Sequence, residues 1–308
     1  MSSGAMSALD WEAAELLAVE LATLAGAEIT TALNRTLTVS YKGAPGTFRD
    51  PVSEVDQKVE VLIRARLFER FPSHDILGEE MTDRPGRGND VVWAIDPIDG
   101  TSNFVNGFPL FSGSVGVLYK GVPVVGALWC STSHTLRPGV YHARLGSALR
   151  FDAQPVIRAP NPMVHRRLGG DPSTATRGIP WDIRKTGSAA IECAFVAAGL
   201  LQVTRFEQPN IWDVAGGIVL AQAAGRKVMV REDKVWKPFD GFTQADGGDQ
   251  AAGPAGAFEA TGEAPADDAA SGEPPAVEPP AHGVLREWRR SLILGEEDAV
   301  TRACQIFA

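Results

Sequence analysis

Asp96 and Asp99 are separated only by Pro97-Ile98 and are followed by Gly100-Thr101-Ser102-Asn103-Phe104. Apolar residues from Val91 to Ile95 precede them and read as a short buried strand. The two carboxylates therefore fall where that strand runs out. Pro97 fixes a bend and removes an amide donor between them. Gly100 lets the backbone turn sharply and come close to a ligand. Thr101 and Ser102 can open a helix whose first amides attract a phosphate. Carboxylates beside an anion site repel each other and the anion. A hard divalent cation between them resolves the conflict, and oxygen-only ligands suit Mg²⁺. The competing reading is a surface turn, because Asp-Pro and Asp-Gly are common turn dipeptides.

Other acids stand at positions that could serve the same chemistry. Asp56 lies three residues after Ser53, where it is either a capping partner or a buried carboxylate aimed at a water. Glu79 and Glu80 follow Gly78 at the end of the short apolar run Ile76-Leu77, either solvated or sharing a metal with Asp96 and Asp99. Asp213, near the start of the apolar run Trp212 to Ala224, is a cap or a ligand. Gly187-Ser188 opens a helix with a second anion-friendly end. Ile293 to Glu297 repeats the letters of Ile76 to Glu80. Acids in a first helical turn favour the helix dipole and need no metal, so this repeat is expected to be unrelated to the site.

The elements that must position these groups can be read in outline. A first helix, capped by Ser7 or Asp10, is expected to run to about Asn34. A loop follows with Gly43, Pro45 and Gly46, where Lys42 and Arg49 read as solvated charges. Val59, Ile63 and Leu67 form the apolar stripe of the Asp56 helix, which ends at Phe71-Pro72. Phe111 to Tyr119 and Val122 to Trp129 form a hairpin turned at Lys120-Gly121. A second hairpin is expected around Arg144 to Asp152, and a mobile loop over Pro155 to Pro180. Strands are expected over Leu200 to Phe206, Arg226 to Val230 and Ser291 to Leu294, and a final helix over Glu296 to Ile306. From about Asp240 to Gly283 the chain is mostly Ala, Gly, Pro, Asp and Glu. So little apolar bulk cannot offset the entropy of ordering, and disorder is expected there.

Length and composition bound the rest. A chain of 308 residues, 44% apolar and 22% charged, can bury a large core as one big domain or two fused ones. A net charge of −9 disfavours nucleic acid as a partner but allows a small anion where bound cations reverse the local sign. The three cysteines, Cys130, Cys193 and Cys304, are far apart and read as small apolar residues in a reducing compartment. The five histidines lack zinc spacing. Asp10, Glu12, Glu15 and Glu20 near the start do not resemble a secretory signal, and Glu20 and Glu28 break the run Leu17 to Ile29 as a membrane span. A soluble, cytoplasmic protein without membrane partners is expected.

Four separated motifs together resemble the inositol monophosphatase family of Mg²⁺-dependent, lithium-sensitive phosphatases. They are Val52-Ser53-Glu54-Val55-Asp56, Gly78-Glu79-Glu80, Asp96 to Phe104, and Trp212-Asp213-Val214-Ala215-Gly216. Gly187-Ser188-Ala189-Ala190 is a weaker fifth. The resemblance implies an α/β (α+β) fold, a layered αβαβα sandwich of the inositol monophosphatase and fructose-1,6-bisphosphatase type, working as a homodimer. An N-terminal half, residues 1–135, would carry most metal ligands. The C-terminal half, residues 136–308, would hold the disordered insert 240–283 and complete one catalytic unit. Glu79, Asp96, Asp99, Asp213 and the Ile98 carbonyl would ligate two or three Mg²⁺ ions. Thr101, oriented by Asp56 and assisted by Glu80, would take the proton of the attacking water. Amides of Gly100, Thr101 and Ser102 would hold phosphate, with Gly187, Ser188, Ala189 and Glu207 as further substrate contacts. The family usually has a glutamate seven residues before the aspartate of the Trp-Asp motif. Here Phe206 stands there and Glu207 follows, on the opposite face of an extended strand. The implied substrate is a small phosphate monoester resembling inositol 1-phosphate. Histidinol phosphate, nucleotide 3′-phosphates, NADP and fructose 1,6-bisphosphate are alternatives, with Arg158, Arg166, Arg167 and Arg177 as candidate contacts for a more acidic substrate. A regulatory interaction protein, docking through residues 240–283, is the alternative of a different class.

Overall fold

The computed structural model describes residues 10–42, 46–48, 50–81, 88–157, 161–172, 178–242 and 282–308. The elements, in order, are α1 (Trp11–Ala32), β1 (Val39–Tyr41), β2 (Pro51–Ser53), α2 (Glu54–Arg70), β3 (Asp75–Gly78), β4 (Val91–Asp99), α3 (Thr101–Val105), β5 (Ser112–Tyr119), β6 (Val122–Cys130) and β7 (Gly139–Arg144). They continue with β8 (Arg150–Phe151), β9 (Gln154–Pro155), β10 (Leu168–Gly170), β11 (Asp182–Arg184), α4 (Ala189–Ala197), β12 (Val203–Phe206), α5 (Ile211–Ala223), β13 (Lys227–Glu232), β14 (Val235–Pro238), α6 (His282–Glu287), β15 (Leu292–Gly295) and α7 (Glu297–Ile306). No helix among the described residues is long and apolar enough to cross a membrane.

Two sheets separate three helical layers. A seven-stranded sheet runs β3-β4-β5-β6-β7-β8-β9, with β3 and β4 parallel and the other neighbours antiparallel. A six-stranded sheet runs β11-β10-β12-β15-β13-β14. Helices α1 and α2 cover the outer face of the first sheet, α4 and α5 fill the space between the sheets, and α7 covers the second. This is the expected αβαβα sandwich. Every residue of β4 is buried, as a strand covered on both faces must be. Its run of Val91-Val92-Trp93-Ala94-Ile95 supplies apolar side chains to both sides.

Small residues set how closely the layers approach. A Cβ at Gly126 of β6 would lie 2.2 Å from the Gly216 carbonyl oxygen of α5, and one at Gly116 of β5 would lie 2.7 Å from the Gly216 nitrogen. The backbone of α5 therefore lies directly on the sheet, and this contact fixes the depth of the helix that carries Asp213.

Helix α1 begins where Asp10 caps it, its Oδ1 accepting from Ala13 N–H at 3.0 Å. Its buried face, Leu17, Ala18, Leu21, Ala25 and Ile29, packs on the first sheet. A polar clasp adds to this packing. Buried Glu15 meets His142 Nδ1 at 2.7 Å and accepts from Arg144 Nη1 at 3.0 Å, while His142 Nε2 meets the Asp152 carbonyl at 2.7 Å. Burial alone would raise the Glu15 pKa. Hydrogen bonds and charge from His142 and Arg144 outweigh it, and the carboxyl lies below its usual range.

Several expectations are corrected here. The region Pro155 to Pro180, expected to be a loop, supplies β10, which pairs parallel with β11 and β12. Arg166 and Arg167 pair with Asp182 at 2.5 Å and Glu296 at 2.6 Å. Arg49, Arg158 and Arg177 lie outside the described residues, as do 243–281 of the expected insert. Order extends further into that segment than composition suggested. Phe242 is fully buried against Phe239 and Trp288, and His282 already begins α6. Cys130 and Cys193 are free and buried, as expected, while Cys304 is half-buried.

Two outcomes test these contacts. Gly126→Ala is expected to cost about 1–3 kcal/mol in urea unfolding, the scale of forced overpacking; an unchanged midpoint would mean that α5 shifts freely. Because the folded Glu15 pKa is depressed, its contribution is present above the unfolded value and lost as pH falls through the folded one. The stability gap between wild type and Glu15→Gln, about 1–3 kcal/mol at neutral pH for hydrogen bonds to a charged group, should therefore close as pH drops below about 4.5. A gap constant from pH 7 to pH 3 would contradict this.

Candidate active site

The end of β4 is not a regular strand. Asp96 pairs with Ser114 and Asp99 with Ser112, so three steps on β4 face two on β5. In an unbroken strand, residues three apart point to opposite faces. The extra residue of this bulge re-aims the strand, and Asp96 and Asp99 end close enough to repel one another. Pro97 is tolerated because a bulge needs no ladder donor there. Gly100 follows in the left-handed region at φ 86°. A Cβ there would meet the Leu110 and Gly187 carbonyl oxygens at 3.1 and 3.2 Å, so the residue type is set by conformation and crowding together.

Each remaining acid is brought in by the start of an element. Asp56 caps α2: its Oδ2 accepts from Ser53 N–H at 2.8 Å and Ser53 Oγ–H at 2.6 Å. Its Oδ1 faces Thr101 Oγ1 at 3.2 Å. The capping reading of Asp56 is met by Oδ2, while Oδ1 faces the Thr101 hydroxyl. Asp213 caps α5, its Oδ2 accepting from Asn210 N–H at 2.8 Å and Asn210 Nδ2–H at 3.1 Å. Glu79 follows β3, held by its N–H to the Ile95 carbonyl at 3.1 Å. Asp96 shares a hydrogen bond with Glu79 and accepts from Ile98 N–H at 3.0 Å.

The start of α4 does something the sequence did not suggest. Gly187, Ser188 and Ala189 were expected at the substrate. In the structure Ser188 Oγ, Ala190 N–H at 2.8 Å, Ala189 N–H at 3.3 Å and Ser112 Oγ at 3.2 Å all donate to Asp99. The anion at this helix end is a side chain of the protein itself. Glu207 is largely exposed and pairs with Arg205 at 3.0 Å rather than with any of these acids. Phe206 is buried in the core. Glu296 and Glu297 pair with Arg167, Arg226 and Lys227, away from the cluster.

The electrostatics are those of an overcrowded anionic site. Asp96 and Asp99 are buried, 2% and 7% exposed, and Asp213 is half-buried. Burial pushes Asp96 well up, and charge from Glu79, Asp99 and Asp213 adds to it. Burial and Asp99 do the same to Asp213. Burial raises Asp99 to about 6 even against its four donors. It also raises Asp56.

Lys42, read from sequence as a solvated loop charge, reaches this cluster, with Nζ 2.8 Å from Glu79 and 2.7 Å from Glu80. Burial moves Glu80 up to about 7, whereas the two glutamates raise Lys42 against its own burial. These directions conflict for one pair. The 2.7 Å contact is that of an ion pair, and we take both groups as charged. Nothing in the spacing of Lys42 signalled this role, because the pairing of β1 with β2 sets it.

Whether these residues suit a metal can be judged from their chemistry. The donor set is all oxygen, mostly carboxylate, buried, and short of positive charge, which fits a hard divalent cation. As the side chains stand, no three acidic, histidine or cysteine groups among the described residues form a closed cage. Charge from Glu79, Asp99 and Asp213 reaches Asp96, and as the side chains stand Asp99 faces the start of α4, Asp213 faces Asn210 and Glu79 faces Lys42. Side-chain rotation is cheap relative to the burial of unbalanced charge.

A family model, that of the inositol monophosphatase family, matches residues 10–258. The chain belongs to this family. Similar proteins include inositol monophosphatase 1 of Sus scrofa, 31% identical over 258 residues, covering 75% of this chain and 87% of that protein. The chloroplastic phosphatase IMPL1 of Arabidopsis thaliana is 30% identical, over 72% of this chain and 64% of that protein's length. The extragenic suppressor protein suhB of Bartonella henselae shares the fold, with a TM-score of 0.68 at 21% identity over 96% of this chain and 98% of that one. Homologues in the family are phosphoric monoester hydrolases, which gives the enzyme class of this chain.

If repulsion among these acids is the dominant local term, neutralising one should stabilise the metal-free protein. Asp96→Asn keeps an acceptor for Ile98 N–H and holds a neutral donor towards Glu79 at every pH. Its metal-free Tm is expected to rise by about 2–4 °C, the shift that roughly 1 kcal/mol produces in a chain of this size. A lower Tm would show that the acids are already compensated.

Proposed function

We propose that this protein hydrolyses a small phosphate monoester, resembling inositol 1-phosphate, by direct attack of water in the presence of Mg²⁺. The observation that carries the reading is the meeting of Glu79, Asp96, Asp99 and Asp213 beside Thr101 and Asp56. Those four carboxylates, with the Ile98 carbonyl, are the groups that would hold the cations. When bound, Mg²⁺ supplies charge neutralisation, activation of water and stabilisation of the leaving oxygen.

The chain's own residues provide the remainder. The Thr101 hydroxyl has one proton and two acceptors facing it, the Ile98 carbonyl at 2.8 Å and Asp56 at 3.2 Å. Donation to either leaves its lone pairs free to accept a hydrogen bond from water. Asp56 is a suitable final acceptor of the proton, because burial has raised its pKa towards the working range of a general base. Glu80, paired to Lys42, stands near enough to Asp56 to act on it through charge. Gly100, Thr101 and Ser102 open α3, and the first N–H groups of a helix are unpaired donors suited to phosphate oxygens. The names of the relatives point to an inositol phosphate. Phe206 and Glu207 support less selectivity for the alcohol, since neither offers a carboxylate from the strand to substrate hydroxyls.

Asp99→Asn is expected to lower Mg²⁺-dependent phosphate release from inositol 1-phosphate by about 10²–10³-fold in kcat/KM, the scale of losing a preorganised electrostatic group, with an unchanged circular dichroism spectrum. Equal turnover in the folded variant, or no release by wild type across a panel of phosphomonoesters, would defeat the proposal.

A further inference from the structure

Glu79 and Asp213 belong to segments 134 positions apart in the chain, and each is preceded by a residue that touches Arg286. The Arg286 Nη2–H donates to the Gly78 carbonyl. Its guanidinium also lies over the Trp212 ring, 5.1 Å from the centroid. One planar cation therefore bridges the residue before Glu79 and the residue before Asp213. Resting on the function proposed above, we propose that Arg286 is a positioning residue that holds these two backbones in register for cation binding.

The support around Arg286 is rigid. It lies on α6 between Leu285 and Trp288, which are 1% and 5% exposed. Trp288 packs edge-on against Phe242, with ring centroids 4.9 Å apart, and Phe242 packs on Phe239. The Phe242 N–H donates to the Gly121 carbonyl at 2.8 Å, tying this cluster to the first sheet. Both anchors therefore belong to the core rather than to a free surface helix.

The two targets depend on outside support. Gly78 has no side chain of its own, and a Cβ there would meet Glu60 Oε1 at 2.0 Å and Arg64 Nη2 at 2.8 Å. Glu60 accepts from Glu80 N–H at 2.7 Å and Met81 N–H at 3.2 Å, and Arg64 donates to the Met81 carbonyl at 2.9 Å. Helix α2 thus braces residues 80 and 81, and α6 braces residue 78, one on each side of Glu79. Trp212 Nε1 is buried and has no hydrogen-bond partner among the described residues. Its indole is held by packing and by the faces of Arg286 and Arg289, the latter 5.9 Å from the ring centroid. Arg289 differs in its other bonds, which among the described residues go to the Arg286 and Trp288 carbonyls at 3.0 and 2.7 Å. Among those residues it stacks on Trp212 without reaching Gly78.

That difference supplies the control. Groups that orient metal ligands typically change metal affinity by about 10–100-fold when lost. In the full-length, substrate-free protein, Mn²⁺ binding read by electron paramagnetic resonance should weaken by about 10-fold or more in Arg286→Ala. The half-saturating Mg²⁺ concentration for phosphate release should rise by the same factor, while the substrate KM at saturating Mg²⁺ stays within about twofold. Arg286→Lys, which keeps the charge and a donor but not the planar face, should fall between wild type and Arg286→Ala. It also carries the test should the alanine variant not fold. Arg289→Ala should bind Mn²⁺ like wild type. A folded Arg286→Ala or Arg286→Lys protein with wild-type Mn²⁺ affinity, or an equal loss in Arg289→Ala, would overturn the inference and leave the phosphatase reading standing. Wild type that neither binds Mn²⁺ nor releases phosphate with Mg²⁺ would overturn both.

Discussion

Several carboxylates that repel each other have to be kept inside a protein core. Desolvation and like charge both work against ionisation here, and Asp96 and Asp213 feel both. Such a cluster survives only if surrounding dipoles offset part of the cost. The structure aims helix N-termini at it. Asp56 sits in the first turn of α2, Asp213 in the first turn of α5, and Asp99 accepts from the first amides of α4. Each helix end carries partial positive charge and unpaired N–H donors. Placing these ends near the acids offsets part of the cost of their negative charge. Lys42 adds one full positive charge at the Glu79–Glu80 edge.

Backbone contact then fixes where those helix ends lie. Helix α5 rests on β5 and β6 through Gly116, Gly126 and Gly216, closer than any side chain would allow. Asp213 is therefore placed by the sheet as much as by its own helix. The bulge at Asp96–Asp99 performs the matching operation on β4, turning two residues that a straight strand would separate towards one region. Sheet, bulge and helix start are thus three parts of one positioning device. A shift of one register step in β4 would move both acids to the other face of the sheet.

These features were unevenly visible in the sequence. Capping spacings such as Ser53 to Asp56, the apolar run before Asp96 and the glycine after Asp99 are local, and local rules read them correctly. The bulge is a pairing property of two strands, and no single segment encodes it. Lys42 reaches the acids because β1 pairs with β2, just before Asp56, so its spacing carried no signal. Phe242 was submerged in a segment dominated by Ala, Gly, Pro and acids, although one aromatic packs into the core when Trp288 receives it. Strand β10, Leu168–Gly170, is three residues long with two glycines, and it exists because β11 and β12 flank it. Arg286 became interpretable only when Gly78 and Trp212 were seen to share it.

The sequence left open cap or ligand at Asp213 and cap or water-directed carboxylate at Asp56, and a cap need not use both oxygens of its carboxylate. An ionised carboxylate has two oxygens and about four lone-pair sites. Asp213 directs both cap bonds to Oδ2, which leaves Oδ1 for another partner. Asp56 gives Oδ2 to Ser53 and turns Oδ1 to Thr101. At Asp99, Oδ2 takes Ser188, Ala190 and Ser112, while Oδ1 takes only the long contact from Ala189 at 3.3 Å. In each case one oxygen anchors the element and the other is lightly used or already aimed at Thr101. A helix cap can therefore double as a ligand without exchanging one role for the other, because the cap fixes the carboxylate plane and the second oxygen inherits that fixed direction.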